Sequence, residues 1–425
     1  MKKLLALVLL LSMLLSVCGC SQKQGTAPGS SDVRIKKSAK QNVAADITYM
    51  EPFRDDRAWV FYDVDDHKYW AVIDKSGNVI ATFDGTITHT QYENGYSHIT
   101  ASVDSHYIID TNCNVVSNFQ SDYEGEAQIS KGGGFFVTKE NVSDFNSVGY
   151  RYTVYNSDNS VNGTFTIEDD WDAEYVGCGI FKIGDGFYCA KGHTWVVVDD
   201  FWSYNGYSAE NGKVVLGTLS PSDADEWGLA VLSETGDLKK VYSQEFSGSM
   251  WKSNIANDFC VVYDQSGSSR IFSINTATGD VYFLDSAISE KVPDWAWNTD
   301  PSAPTENRII IPVVGADGET YSYIFDTKFT IIAGPLLGSF DHISEGKMCA
   351  VVNRNRRVDE VYDCNGNFIF SVSDLNCEYK DAYSCGALPV RSGNKLNLAN
   401  AFLDDKGIFL FENLNFQGAK TMQFE

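Results

Sequence analysis

The chain has 425 residues, with 57 acidic against 33 basic side chains, a net charge of −24, and 13% aromatic residues. That acidity, with no basic stripe to offset it, sets nucleic acid aside as a partner and suits a soluble exported body. The aromatic content is more bulk than one small sheet can bury, so a large layered core is expected.

Met1 to Cys20 reads as a targeting segment. Lys2 and Lys3 precede the apolar run Leu4–Val17, which is too short and wrongly flanked to span a bilayer. It ends in Val17-Cys18-Gly19-Cys20, which resembles the bacterial lipobox, with Cys20 as the residue acylated after cleavage. This places the protein on the extracytoplasmic face of the cell membrane, held by a lipid. The alternative is an ordinary secretory signal cut nearby.

Residues 21–46 read as a polar tether, rich in Gly, Ser, Gln and Lys, reaching roughly 25–30 Å as a flexible coil. Lys23, Arg34, Lys36, Lys37 and Lys40 outnumber Asp32 and Asp46, so the tether is basic while the body is acidic. An anionic leaflet attracts such a segment and repels what it carries.

From residue 47 to 425 the chain repeats itself, which predicts one domain. Its clearest unit is Lys68–Ile80, KYWAVIDKSGNVI: an aromatic and β-branched strand, a turn at Asp74-Lys75-Ser76-Gly77-Asn78, and the start of a returning strand. The turn returns, altered, as Asp110–Asn114, Asn156–Ser160, Ser233–Asp237, Asn275–Asp280, Asp326–Lys328, Asp363–Asn367 and Asp404–Gly407, and Trp195–Asp200 falls where another copy is due. A second marker, a Gly or polar turn before an apolar strand, precedes most copies: Asn94-Gly95, Gly133-Gly134, Cys178-Gly179, Asn211-Gly212, Glu345-Gly346 and Cys385-Gly386. The period averages about 41 residues, with three or four short antiparallel strands per unit, and that is the signature of a β-propeller blade. Nine units can be counted; eight blades are expected, with seven or nine as alternatives and 178–200 as a partial blade. Two smaller β-domains are the competing architecture. Glu412–Gly418 follows the last strand as native sequence.

Trp227–Gly236 and Tyr69–Ile80 resemble the WG repeat of bacterial proteins, in which an aromatic-Gly pair, an apolar strand and a D-x-x-G turn recur; Phe340–Gly346 is similar to its linking segment. Only Trp227-Gly228 keeps the literal pair. The resemblance implies a propeller-like interaction scaffold without a catalytic signature.

Sites are expected where units depart from the repeat. The longest connection, Leu284–Glu306, carries Trp295 and Trp297 near Pro, and Phe201–Tyr207 carries Trp202 and Tyr204. Both are candidate stacking surfaces for a sugar or partner; the bland alternative is that they cap the core. Acidic runs at Asp63–Asp66, Glu168–Asp172 and Asp223–Glu226 suit Ca²⁺ in donor type but lack the loop spacing, so solvated turns are the better account. His89, His98 and His106 share one unit without ligand spacing. Ser249-Met250-Trp251-Lys252 fits S-x-x-K, but its companion motifs are missing. No Walker, dinucleotide or metalloprotease motif occurs, so no cofactor and no metal are expected. Of the eight body cysteines, Cys178/Cys189, Cys349/Cys364 and Cys377/Cys385 are near enough in sequence to bridge, though strand cysteines also serve as small apolar groups. The expected function is a lipid-anchored scaffold binding a cell-envelope protein or glycan; the alternative is a glycosidase or lyase acting on extracellular polysaccharide.

Overall fold

Each turn word closes on its own hydrogen bonds. Asp74 accepts the backbone N–H groups of Ser76 and Asn78 at 2.9 Å and the Asn78 side-chain amide at 2.9 Å. Asp110 and Asp363 hold Asn112/Asn114 and Asn365/Asn367 in the same way, at 2.8–2.9 Å. A short carboxylate two and four residues before its donors can do this without tertiary help, which is why the word survives in sequence. The other marker is also local chemistry: Asn94-Gly95, Gly133-Gly134, Cys178-Gly179, Glu345-Gly346 and Cys385-Gly386 all have positive φ at both residues, as two-residue hairpins of matching twist require.

The structure, a computed structural model, describes residues 34–37, 46–102, 105–120, 130–142, 149–169, 171–198, 207–210, 212–219, 226–245, 250–256, 258–264, 270–284, 306–353, 357–393 and 398–424. Its strands form nine antiparallel meanders, here blades I to IX, with strands A to D running outward. Blade I spans 46–84, II 88–120, III 130–167, IV 173–197, V 207–245, VI 250–283, VII 308–337, VIII 339–371 and IX 377–403. Among the described residues VII and IX contribute three strands each, and the strands of VII match B, C and D.

The buried residues show that the ring closes. They fall into nine clusters, each lying in the gap between neighbouring blades. Trp59, Phe83 and Tyr107 fill I–II; Tyr152 and Phe181 fill III–IV; Tyr323 and Phe325 meet Val261 at VI–VII. The last gap, IX–I, joins Phe402 and Ala387 to Met50, Phe53 and Val60. A blade alone cannot cover its two faces, so each must stack, and the aromatics are where stacking puts them.

The protein is therefore an all-β propeller of nine blades, one more than the preferred count. Blade IV is complete. Its strands are only four or five residues long, and its C–D turn has no Asp. Ala190 N–H donating to the Gly179 carbonyl and Thr194 Oγ1 donating to the Gly192 carbonyl replace that carboxylate, while Phe181 and Phe187 are fully buried.

Closure uses the chain's end. After Leu403–Phe409 the chain leaves blade IX and crosses the outer edge of blade I. Asn415 exchanges backbone bonds with Gly77 and Val79, and Leu414 and Phe416 are buried in the IX–I core. Lys420–Gln423 then lies parallel to strand D of blade I, with Lys420 opposite Ala81, and Phe424 meets Tyr107 of blade II at 4.3 Å. Within the expected tether, Arg34–Lys37 pairs antiparallel with this C-terminal strand, so blade I's sheet has six strands.

The eight described cysteines are free thiols. The sequence pairs do not bridge because blade geometry separates them: Cys377 starts strand A of blade IX while Cys385 sits in the A–B turn, and Cys349 faces Val361 rather than Cys364.

Candidate functional site

An antiparallel meander puts A–B and C–D turns on one rim and B–C and D–A connections on the other. The first rim is bound to itself. Gly95 N–H donates to Asp55 of the preceding blade at 2.7 Å, Gly346 N–H to Glu306 at 2.6 Å and Gly386 N–H to Glu345 at 2.6 Å. Arg57 Nε donates to the Thr111 carbonyl and Arg308 Nε to the Cys364 carbonyl, again from one blade to the next. Backbone groups of the repeated words are thus engaged by side chains of neighbouring blades.

The opposite rim, here the open rim, is bonded between blades VIII and IX, where Asp359 accepts the Tyr379 N–H at 3.1 Å and Arg357 donates to the Tyr379 carbonyl at 3.3 Å, and it presents exposed groups elsewhere. Trp202, Tyr204, Trp295 and Trp297 lie outside the described residues, which leaves the described connections of this rim. Two described features stand on it. Between blades I and II a cleft of about 430 Å³ is lined by Tyr69, Phe83, Ile87, Met422 and Phe424, with Asp84 and Thr86 at its mouth. The Asp84 carboxylate accepts the Thr86 N–H and O–H at 2.9 and 2.7 Å, which hold its pKa below the usual value. In the III–IV connection Trp171 is 45% exposed. Its ring is seated on Gly184, where an added Cβ would lie 2.8 Å from Trp171 Cδ1. Its carbonyl accepts the Tyr152 hydroxyl at 2.6 Å, and Asp172 beside it reaches Lys139 at 3.7 Å. A fixed, exposed indole flanked by carboxylates is a stacking platform for a flat apolar sugar face or an aromatic side chain. The sequence placed this Trp only within an acidic run; its platform role depends on Gly184, which is not local to it.

The acidic runs are turn chemistry where described. Asp65 and Asp66 both have positive φ at the centre of the B–C hairpin of blade I. Met250, Trp251 and Lys252 lie on a strand, where S-x-x-K chemistry needs a helix start. Among the described residues no three His, Cys, Asp or Glu side chains gather to hold a metal ion.

The three histidines all lie in blade II, where His89 meets Glu51 of blade I and His98 and His106 lie near Lys131 of blade III. His89 is 4% exposed and stacks on Trp59 at 4.0 Å, with Trp70 edge-on at 4.4 Å. Its Nε2 lies 4.0 Å from Oε1 of Glu51, which is 15% exposed, and both His89 Nδ1 and Glu51 Oε2 lack hydrogen-bond partners. Burial lifts Glu51 to about 7 and depresses His89 to about 4, so between those values both groups are neutral and no ion pair forms. His98 is fully buried with both ring nitrogens unpartnered, and burial, reinforced by Lys131 and His106, depresses it to about 3. Lys131 donates to Thr100 Oγ1, which is 3.1 Å from His106 Nδ1, and burial lowers Lys131 to about 8. Glu51 and Lys131 were not apparent from sequence. The one local signal was a carboxylate in the apolar stretch Tyr49-Met50-Glu51-Pro52-Phe53.

These features define a nine-bladed propeller whose A–B and C–D rim is bonded from blade to blade and whose opposite rim exposes Trp171 and the I–II cleft. No protein-family model matches the chain, and no curated protein matches it. Among solved structures it is similar to a eukaryotic initiation factor at 13% identity and TM-score 0.49, covering 83% of this chain and 96% of that one. It is also similar to the WD40 domain of Toxoplasma gondii coronin, at 11% identity and TM-score 0.31, covering 70% and 87%. An oligogalacturonate lyase in complex with manganese is similar at 11% identity and TM-score 0.30, covering 69% and 97%.

Proposed function

We propose that the protein is an exported, lipid-anchored propeller of the bacterial WG-repeat kind that binds a cell-envelope protein or glycan on its open rim. The observation that carries this is Trp171, seated on Gly184 and 45% exposed on the rim of the B–C and D–A connections. Backbone groups of the turns on one rim are engaged between blades, whereas the other presents Trp171 and the I–II cleft. Cys20 carries the acyl chains, and residues 21–33 link it to the strand at Arg34–Lys37. The alternative is an enzyme cleaving extracellular polysaccharide. It needs two carboxyls about 5–9.5 Å apart flanking the scissile bond, and the described cleft presents Asp84, already bonded to Thr86.

The lipid-free chain from Ser21 onward, immobilised and exposed to solubilised envelope proteins and glycan fragments, is expected to retain a discrete ligand, and Trp171→Ala to retain less. No retention, together with cleavage of an oligosaccharide panel, would assign the enzyme instead. Incorporation of a palmitate analogue, lost in Cys20→Ser, tests the anchor separately.

A further inference from the structure

The strand formed by Arg34–Lys37 changes how an anchored chain would sit. Its register is Arg34 to Gln423, Ile35 to Met422, Lys36 to Thr421 and Lys37 to Lys420, and it is the outermost strand of blade I's sheet. The tether therefore does not swing from the start of blade I. It is fastened to the circumference of the ring, and only residues 21–33 remain between that point and Cys20. Even fully extended, about 13 residues span no more than roughly 45 Å.

Charge acts in the same direction. The body is acidic, yet its outermost strand is built of Arg34, Ile35, Lys36 and Lys37; Lys420 of the partner strand donates to the Asn112 carbonyl and Asn114 Oδ1 at 2.7 Å. Each cation near an anionic leaflet is attracted to it, while the acidic remainder is repelled. Lysines on an edge strand also discourage strand addition by other chains, which is the structural account of the same residues.

We propose that blade I's outer edge is a membrane-facing surface for anionic lipid headgroups, and that the propeller stands on this edge with its open rim turned sideways along the membrane. A ligand then approaches parallel to the bilayer rather than from above it. This rests on acylation at Cys20.

The test places a fluorescent donor, as an unnatural amino acid, at Ser76 in blade I or at Thr278 in blade VI, across the ring. The acylated full-length protein is bound to vesicles of phosphatidylglycerol and phosphatidylcholine carrying acceptor lipid. Stronger energy transfer from position 76 than from 278 is expected. The difference should shrink by half or more when Ile35→Pro/Lys36→Pro removes a backbone donor facing the partner strand and lengthens the leash, and in vesicles of phosphatidylcholine alone. Equal transfer from both positions in membrane-bound protein, or no response to the proline pair, overturns the edge-on arrangement and leaves the anchor intact. Protein that does not associate with the vesicles after expression in an acylating host overturns the anchor, and this inference with it.

Discussion

Glu51→Gln is the substitution whose effect follows most directly from the structure. A carboxyl raised from 4.5 to about 7 by burial means that the folded state holds its proton more tightly than the unfolded chain does. Stability from this group is fully present below 4.5 and is lost as pH rises to about 7, because ionisation must then occur beside Trp59, Trp70 and neutral His89. At about 1.4 kcal/mol per unit, the native protein at pH 8 carries a penalty of about 3 kcal/mol from this carboxylate. Glutamine keeps the shape and cannot ionise. The variant should therefore be more stable than the parent by about 2–3 kcal/mol at pH 8, and by less than about 1 kcal/mol at pH 5. Urea denaturation at the two pH values, followed by tryptophan fluorescence and far-ultraviolet circular dichroism, measures this. His89 and His98 titrate in both proteins and so leave the difference unchanged. A gain that is the same at both pH values, or larger at pH 5, would refute the assignment of Glu51 as a buried, strained acid.

Other substitutions probe the frame. His98→Leu removes two unpartnered buried nitrogens and should stabilise the protein at pH 7 by about 1 kcal/mol or more; since the depressed His98 costs stability as pH falls below 6.5 towards 3, the variant should also lose less on acidification. Gly77→Ala and Gly95→Ala share a positive φ, but only the first would drive a Cβ to 2.6 Å from Phe411 Cγ. In thermal unfolding Gly95→Ala should cost about 1 kcal/mol, and Gly77→Ala roughly 1–3 kcal/mol more. Phe416→Ala empties a site in the IX–I gap and should cost about 3–5 kcal/mol, whereas Glu412→Ala on the exposed strap should stay within about 0.5 kcal/mol.

What was legible in the sequence was what the chain bonds to within five residues. Asp74, Asp110 and Asp363 organise their turns alone, so the repeat, the all-β class and the propeller could be read from them. Blade IV reads as a partial blade in sequence because its strands are only four or five residues long, and its C–D turn replaces the Asp by backbone and threonine bonds. Ring closure was not legible, since Lys420 pairs with Ala81, more than three hundred positions away. The same distance hid the strand at Arg34–Lys37, whose composition is that of a tether and whose pairing depends on the far end of the chain. Glu51 and Trp171 were missed for a related reason. The neighbours that give each its character are His89, Trp59 and Gly184, supplied by other strands or the next turn.

The proposal that ligand binds the open rim is tested most directly by hydrogen exchange on the lipid-free protein with and without its retained envelope ligand. Protection is expected at the connections around Thr86, Trp171 and residues 201–206 and 285–305, with the C–D turns at 74–78, 110–114 and 363–367 unchanged. Protection centred on those turns, with the open rim unaffected, would contradict it.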